Sequence, residues 1–179
     1  LTVCLETSQV ESSDLRQTMS LRDASGRQRM RAEVVLSSEA PSRQSTSMDA
    51  LPATGTYSPE AIYGEALFHG PLLQAIESVD GLNSDGIDVS LVRPEASGPW
   101  LEGETADWDP EGTLWLDSAF QAMILWSRDQ QSAPSLPSRF GRWQRFQDWP
   151  DAAPRLRARV RSVKGAMITS DICFLGPDD

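Results

Sequence analysis

Leu116-Asp117-Ser118-Ala119-Phe120-Gln121-Ala122-Met123 decides the fold class of this chain. Continued through Arg128, the stretch sets Leu116, Phe120, Met123, Ile124 and Trp126 at helical spacing, so it reads as a strongly apolar helix. A helix of this kind needs cover, and a curved sheet wrapped around it would supply that. Pro134 and Pro137 break the helix on its C-terminal side. Beyond them Phe140–Phe146, Arg155–Val163 and Ala166–Phe174 read as strands, with Val163-Lys164-Gly165 as a hairpin turn. On the N-terminal side 94–112 reads as an acidic, Pro- and Gly-bearing loop. Ile87, Val89 and Leu91 alternate as a strand, and Leu72 to Val79 suits either a short helical turn or a strand. Ser58-Pro59-Glu60 opens a shorter helix: Ser58 can cap, proline suits the first helical position, and Glu60 favours the positive end of the dipole. That helix should stop near Gly70-Pro71.

Residues 1–38 read as a meander of three short strands, with Asp23-Ala24-Ser25-Gly26 as a turn and Ala32, Val34 and Leu36 on one face. Three such strands cannot bury a core alone, so they must pack on something else. Residues 39–57 are Ser-, Pro- and Thr-rich without apolar periodicity, and read as a linker between two units, 1–38 and 58–179. The sum is an α+β architecture, a sheet packed on a helix. The chain opens with Leu1 already in strand-like sequence, and the last strand is followed at once by Gly176, so both ends read as cuts through a longer polypeptide.

Hydrophobic residues make up 39% of the 179, enough for a sizeable core. The net charge of −10 argues against a nucleic-acid backbone as partner. Two cysteines, Cys4 and Cys173, without a CxxC or Cys/His cluster, argue against a structural zinc site and for a reduced, cytoplasmic setting. There is no apolar run long enough for a membrane span and no signal-peptide pattern.

Two segments carry candidate chemistry. His69, the only histidine, stands in Phe68-His69-Gly70-Pro71-Leu72-Leu73-Gln74. It could act as acid or base, or be a structural histidine stabilised at a helix end. Asp117 and Gln121 are four apart and share one helix face, a turn apart. A carboxylate in so apolar a segment loses hydration, which favours its neutral, proton-donating form. The alternative is an aspartate in the first helical turn that favours the dipole. Arg155, Arg157, Arg159 and Arg161 would share one strand face, either ordinarily solvated or suited to docking an acidic carrier protein.

In their order and spacing these segments resemble the dehydratase domains of polyketide synthases, and more closely the dehydratase-like regions of polyunsaturated fatty acid synthases. The second hot dog of that family opens with an aromatic-Gly-Pro-x-Phe motif, here Phe68-His69-Gly70-Pro71-Leu72-Leu73, with leucine in place of the phenylalanine. The Leu-Asp-x-x-x-Gln/His motif of its central helix is here Leu116-Asp117-Ser118-Ala119-Phe120-Gln121. Leu136-Pro137 and the Arg155–Phe174 hairpin follow in family order, and 1–38 is similar to the closing strands of the first hot dog. The resemblance implies a hot-dog fold, an antiparallel sheet wrapped around a central helix, as part of a double hot dog. It implies dehydration of a 3-hydroxyacyl thioester to a 2-enoyl thioester. The substrate would ride the phosphopantetheine arm of an acyl carrier protein, with no metal or organic cofactor. Asp117 would be the catalytic acid, Gln121 its helper, and His69, Gly70 and Pro71 substrate-binding. Other domains of the same synthase would be partners, and a homodimer would suit the hot-dog habit of pairing. The family's base is a histidine in a His-x-x-x-Gly-x-x-x-x-Pro motif that this sequence lacks, and His69 stands where many members have tyrosine. The base would therefore come from sequence before Leu1. The rival readings are a catalytically silent hot-dog module for structure or carrier docking, and a hot-dog thioesterase.

Overall fold

The computed structural model describes residues 1–11, 14–39, 41–42, 48–53, 57–93, 110–149 and 151–176. Most of the expected loop 94–112 and much of the expected linker lie outside these residues. The chain is α+β, with two antiparallel sheets and one long helix. It divides into two compact units, Leu1–Gln44 with Gln144–Gln147, and Ser45–Trp143 with Asp148–Asp179.

The first unit is a meander of β1 (Thr2–Glu11), β2 (Asp14–Arg22) and β3 (Gln28–Leu36). Register sets Val3 opposite Leu21 and Leu21 opposite Met30, Leu5 opposite Met19, and Leu15 opposite Leu36. Facing residues share a side of the sheet, so one face is almost wholly apolar. The other carries a charge network of Glu6 with Arg22 and Arg31, and Arg16 with Glu33. Within this unit the apolar face has little cover: Val3 and Met30 are each 62% exposed. Asp23 closes the β2–β3 turn by accepting from the backbone N–H groups of Ser25 and Arg27, and Gly26 supplies the positive φ of +82°.

The second unit is built on the four-stranded sheet β4 (Ile76–Asn83), β5 (Gly86–Leu91), β6 (Arg155–Lys164) and β7 (Met167–Leu175), paired in that order. A short helical turn α1 (Pro59–Ala61) is capped by the Ser58 hydroxyl, which accepts from Ala61 N, and runs into a π-helical turn, Ile62–Ala66. A 3₁₀ turn, Pro71–Leu73, leads into β4. The expected helix to Gly70-Pro71 is thus shorter, ending at Ala66, and Leu72 to Val79 holds both a helical turn and a strand.

The long helix α2 (Pro110–Gln131) lies against β4, β5 and β6. Trp115, Ala119, Ala122, Leu125 and Trp126 meet Ile76, Ile87, Val89, Leu156 and Ala158 in one buried cluster. Trp126 donates its indole N–H to Asn83 O at 2.8 Å, so its ring is both buried and oriented. α2 begins earlier than the apolar periodicity, taking in the end of the expected loop. Ser132 ends it in a left-handed conformation, φ 55°. The β6–β7 hairpin turns through Gly165-Ala166, with Gly165 at φ +59° in the first loop position, as a type II′ turn requires.

One expected strand is absent: 140–146 forms none. Its rings point to packing partners instead of alternating across a ladder. Phe140 lies 4.7 Å from Phe120, and Trp143 lies 5.8 Å from Phe174.

The outer side of β5 is also covered. Asp88 is buried there and accepts from Leu51 N at 2.8 Å, while Ala53 forms an isolated bridge with Gly81. A Cβ at Gly81 would stand 2.8 Å from Leu51 Cβ, so the glycine lets this segment approach. Gly86 is tighter still, because a Cβ there would meet Ala158 O at 2.0 Å. Gly86→Ala therefore forces β5 and β6 apart. We expect a loss of about 1–3 kcal/mol from this overpacking, read as a lower urea midpoint; an unchanged midpoint would show that β6 yields at no cost.

Candidate functional site

The residues singled out from sequence gather around one turn of α2. Asp117 lies about two turns into the helix, not in its first turn, so the dipole account of this residue does not apply. His69 follows the helical turn that closes at Ala66, with Leu67 already extended.

Gln121 is fully buried and organises the site. Its Nε2 donates to Asp117 Oδ2 and to Leu73 O, both at 2.7 Å. Its Oε1 accepts from the Tyr63 hydroxyl at 2.8 Å, which in turn accepts from Ile76 N at 2.8 Å. These four bonds fix which end of the amide faces Asp117. Gly70-Pro71 shapes the turn that brings Leu73 O to Gln121: Leu73 N donates to Gly70 O at 2.9 Å. Gly70 and Pro71 are themselves exposed.

His69 Nε2 lies 3.6 Å from Asp117 Oδ2, with the imidazole 8% exposed and the carboxyl 30% exposed. At that distance the pair is an electrostatic contact, not a hydrogen bond. The His69 ring stacks on Phe68 at 4.5 Å, its backbone oxygen accepts from Gln74 Nε2 at 3.0 Å, and its Nδ1 is buried without a hydrogen-bond partner. All five residues expected at the site thus fall in one neighbourhood. Asp117 meets both Gln121 and His69, while Gly70 and Pro71 act through the turn.

Tyr63 was missed in the sequence. It sits on the π-helical turn, a distortion frequent at functional sites, and no local pattern announces a bond to a residue 58 positions away. Burial pushes its hydroxyl up to about 12. A folded-state pKa above the unfolded value of 10 means the stabilisation is complete below pH 10 and is lost as pH climbs towards 12. Tyr63→Phe should therefore lower the urea midpoint at pH 7 by removing the bridge to Gln121 and Ile76. It should also flatten the alkaline fall between pH 10 and 12; a parallel fall in both proteins would sink this assignment.

The arginine strand differs from both of its expected readings. Arg157 and Arg159 are mostly buried and converge on Asp88, with Arg157 Nε 3.7 Å from Oδ2 and Arg159 donating to both carboxylate oxygens. Their remaining N–H groups hold Met48 O and Asp49 O. Arg161 pairs with Asp171. Two of the four arginines therefore fasten the chain before Leu51 to the sheet instead of facing solvent or a partner.

Among the described residues no group of three or more His, Cys, Asp or Glu could hold a metal ion, and no helix is long and apolar enough to cross a membrane. Cys4 and Cys173 are not joined in a disulfide. Compared with known proteins, the chain matches no family model, no curated protein and no solved structure.

Proposed function

We propose that this protein belongs to a dehydratase of the double hot-dog type, with the second unit as its second hot dog and the first unit as the closing strands of the first. The reaction removes water from a 3-hydroxyacyl thioester on an acyl carrier protein and leaves the 2-enoyl thioester. The observation that carries the reading is the placement of Asp117. It is partly exposed on a helix whose core-facing side is buried, with one oxygen held by Gln121 and a histidine beside it. In its protonated form a carboxyl so placed can give its proton to a leaving C3 hydroxyl while Gln121 keeps it oriented. The family resemblance assigns removal of the C2 proton to a histidine of the first hot dog.

The test is incubation of the domain extended upstream of Leu1, so that it includes the first hot dog, with 3-hydroxyacyl carrier protein of several chain lengths, following loss of water from the acyl group by mass spectrometry, with Asp117→Asn in parallel. Water loss in the wild type that disappears in the variant supports the dehydratase and its acid. Absence of water loss at every chain length favours a silent hot-dog module. Release of the free acid instead would identify a thioesterase.

A further inference from the structure

We propose that the loop that follows α2, 132–143, is the docking surface for an acidic acyl carrier protein, with Arg139 and Arg142 as its charged contacts. The proposal rests on the dehydratase reading, in which the substrate arrives on such a carrier. The chain as a whole carries a charge of −10, yet between Asp129 and Asp148 it has three arginines and no carboxylate. The loop is pinned by its aromatic residues: Phe140 to Phe120 at 4.7 Å, and Trp143 to Trp149 at 6.0 Å and to Phe174 at 5.8 Å. Arg139 and Arg142 each precede one of these anchors, and both are exposed. Neither enters an ion pair among the described residues, whereas Arg157, Arg159 and Arg161 are all engaged by carboxylates.

Position adds to charge. Phe120 follows Asp117 by three residues on α2 and therefore lies on the same side of the helix, one turn on. The loop that Phe120 holds is accordingly next to the turn that bears Asp117. A carrier captured there would have its arm close to the carboxyl that the reading makes the acid. Leu136, Phe140 and Trp143 remain 74%, 52% and 43% exposed around the arginines. Arginine and aromatic residues are the types enriched at protein interfaces. Because the loop is anchored before any partner arrives, little ordering remains to be done on binding. Positive charge near the site would speed encounter with an acidic partner and make binding salt-dependent. Alternating arginine and aromatic residues also suit single-stranded nucleic acid, but the strongly acidic remainder of the chain disfavours it.

The experiment measures binding of a fluorescently labelled acyl carrier protein, bearing its phosphopantetheine arm, by anisotropy at low and high salt. We expect binding at low salt that weakens as salt is raised. Arg139→Glu with Arg142→Glu should weaken it by about tenfold or more. Arg161→Glu with Lys164→Glu makes the same change of charge at the β6–β7 hairpin and should cost no more than about twofold. Arg139→Gln with Arg142→Gln should fall between wild type and the reversed pair, and serves if the reversed pair does not fold. Equal losses in the two charge-reversed proteins, or no binding by the wild type, would overturn the proposal. Displacement of the carrier by oligouridine at comparable concentration would also overturn it, in favour of a nucleic-acid surface. The dehydratase reading is tested separately, by water loss from a free 3-hydroxyacyl thioester. Activity there without a contribution from Arg139 and Arg142 to carrier binding rejects the surface alone. Carrier binding at the loop without activity on any substrate rejects the reading alone.

Discussion

Asp117→Asn is expected to lower the rate of water loss by about 10²–10⁴-fold, the range contributed by one positioned acid or base. The substitution is nearly isosteric, and the side-chain oxygen of asparagine can still accept from Gln121 Nε2, the bond that holds Asp117 at 2.7 Å. What is lost is the transferable proton. Asp117 is partly exposed, so the unfolding midpoint should move little. The effect should fall on kcat more than on KM, since the proton is needed only as the C–O bond breaks. A variant with wild-type turnover would remove Asp117 from the mechanism. A variant that loses turnover only because it unfolds would make Asp117 a structural residue.

Asp88→Asn should carry the largest expected loss of stability, about 3–5 kcal/mol, the usual cost of removing one partner from a buried ion pair. The Asp88 side chain is 7% exposed and faces two guanidiniums that are themselves largely buried. An amide cannot balance them. Arg159 also holds Asp49 O, and Leu51 N donates to the same carboxylate, so the segment before Leu51 should loosen with the network. A domain has a net stability of only about 5–15 kcal/mol, and a change of this size is readily seen as a lower urea midpoint. Hydrogen exchange at 48–53 should rise by more than in the core of α2. The converse experiment replaces the whole network: Asp88→Leu with Arg157→Met and Arg159→Met should recover most of the loss, because no buried charge is then left unpaired. If Asp88→Asn has the wild-type midpoint, the network contributes nothing and the buried charges are hydrated.

Much of the second unit can be read from local pattern. The helical spacing of Leu116, Phe120, Met123 and Ile124 marks α2, and the alternation of Ile87, Val89 and Leu91 marks β5. Gly165 marks the β6–β7 turn. The spacing of Asp117 and Gln121 places both on one face of that helix, and their hydrogen bond is a direct consequence of a 3.6-residue period. Periodicity reports burial on one side of an element, so it failed where side chains did something else. Residues 140–146 carry rings that pack singly on Phe120 and Phe174, and no ladder forms.

The sequence by itself determined the α+β class, the long helix, the last hairpin and the Asp117–Gln121 pair, because each depends on residues a few positions apart. Only the tertiary structure decided that Tyr63 locks Gln121 from 58 residues away and that Asp88 takes up Arg159 from 71 away. The physical reason is the same in each case. A buried polar group must find a partner, and which partner it finds depends on how strands and helix are brought together, a fact that no short window of sequence contains.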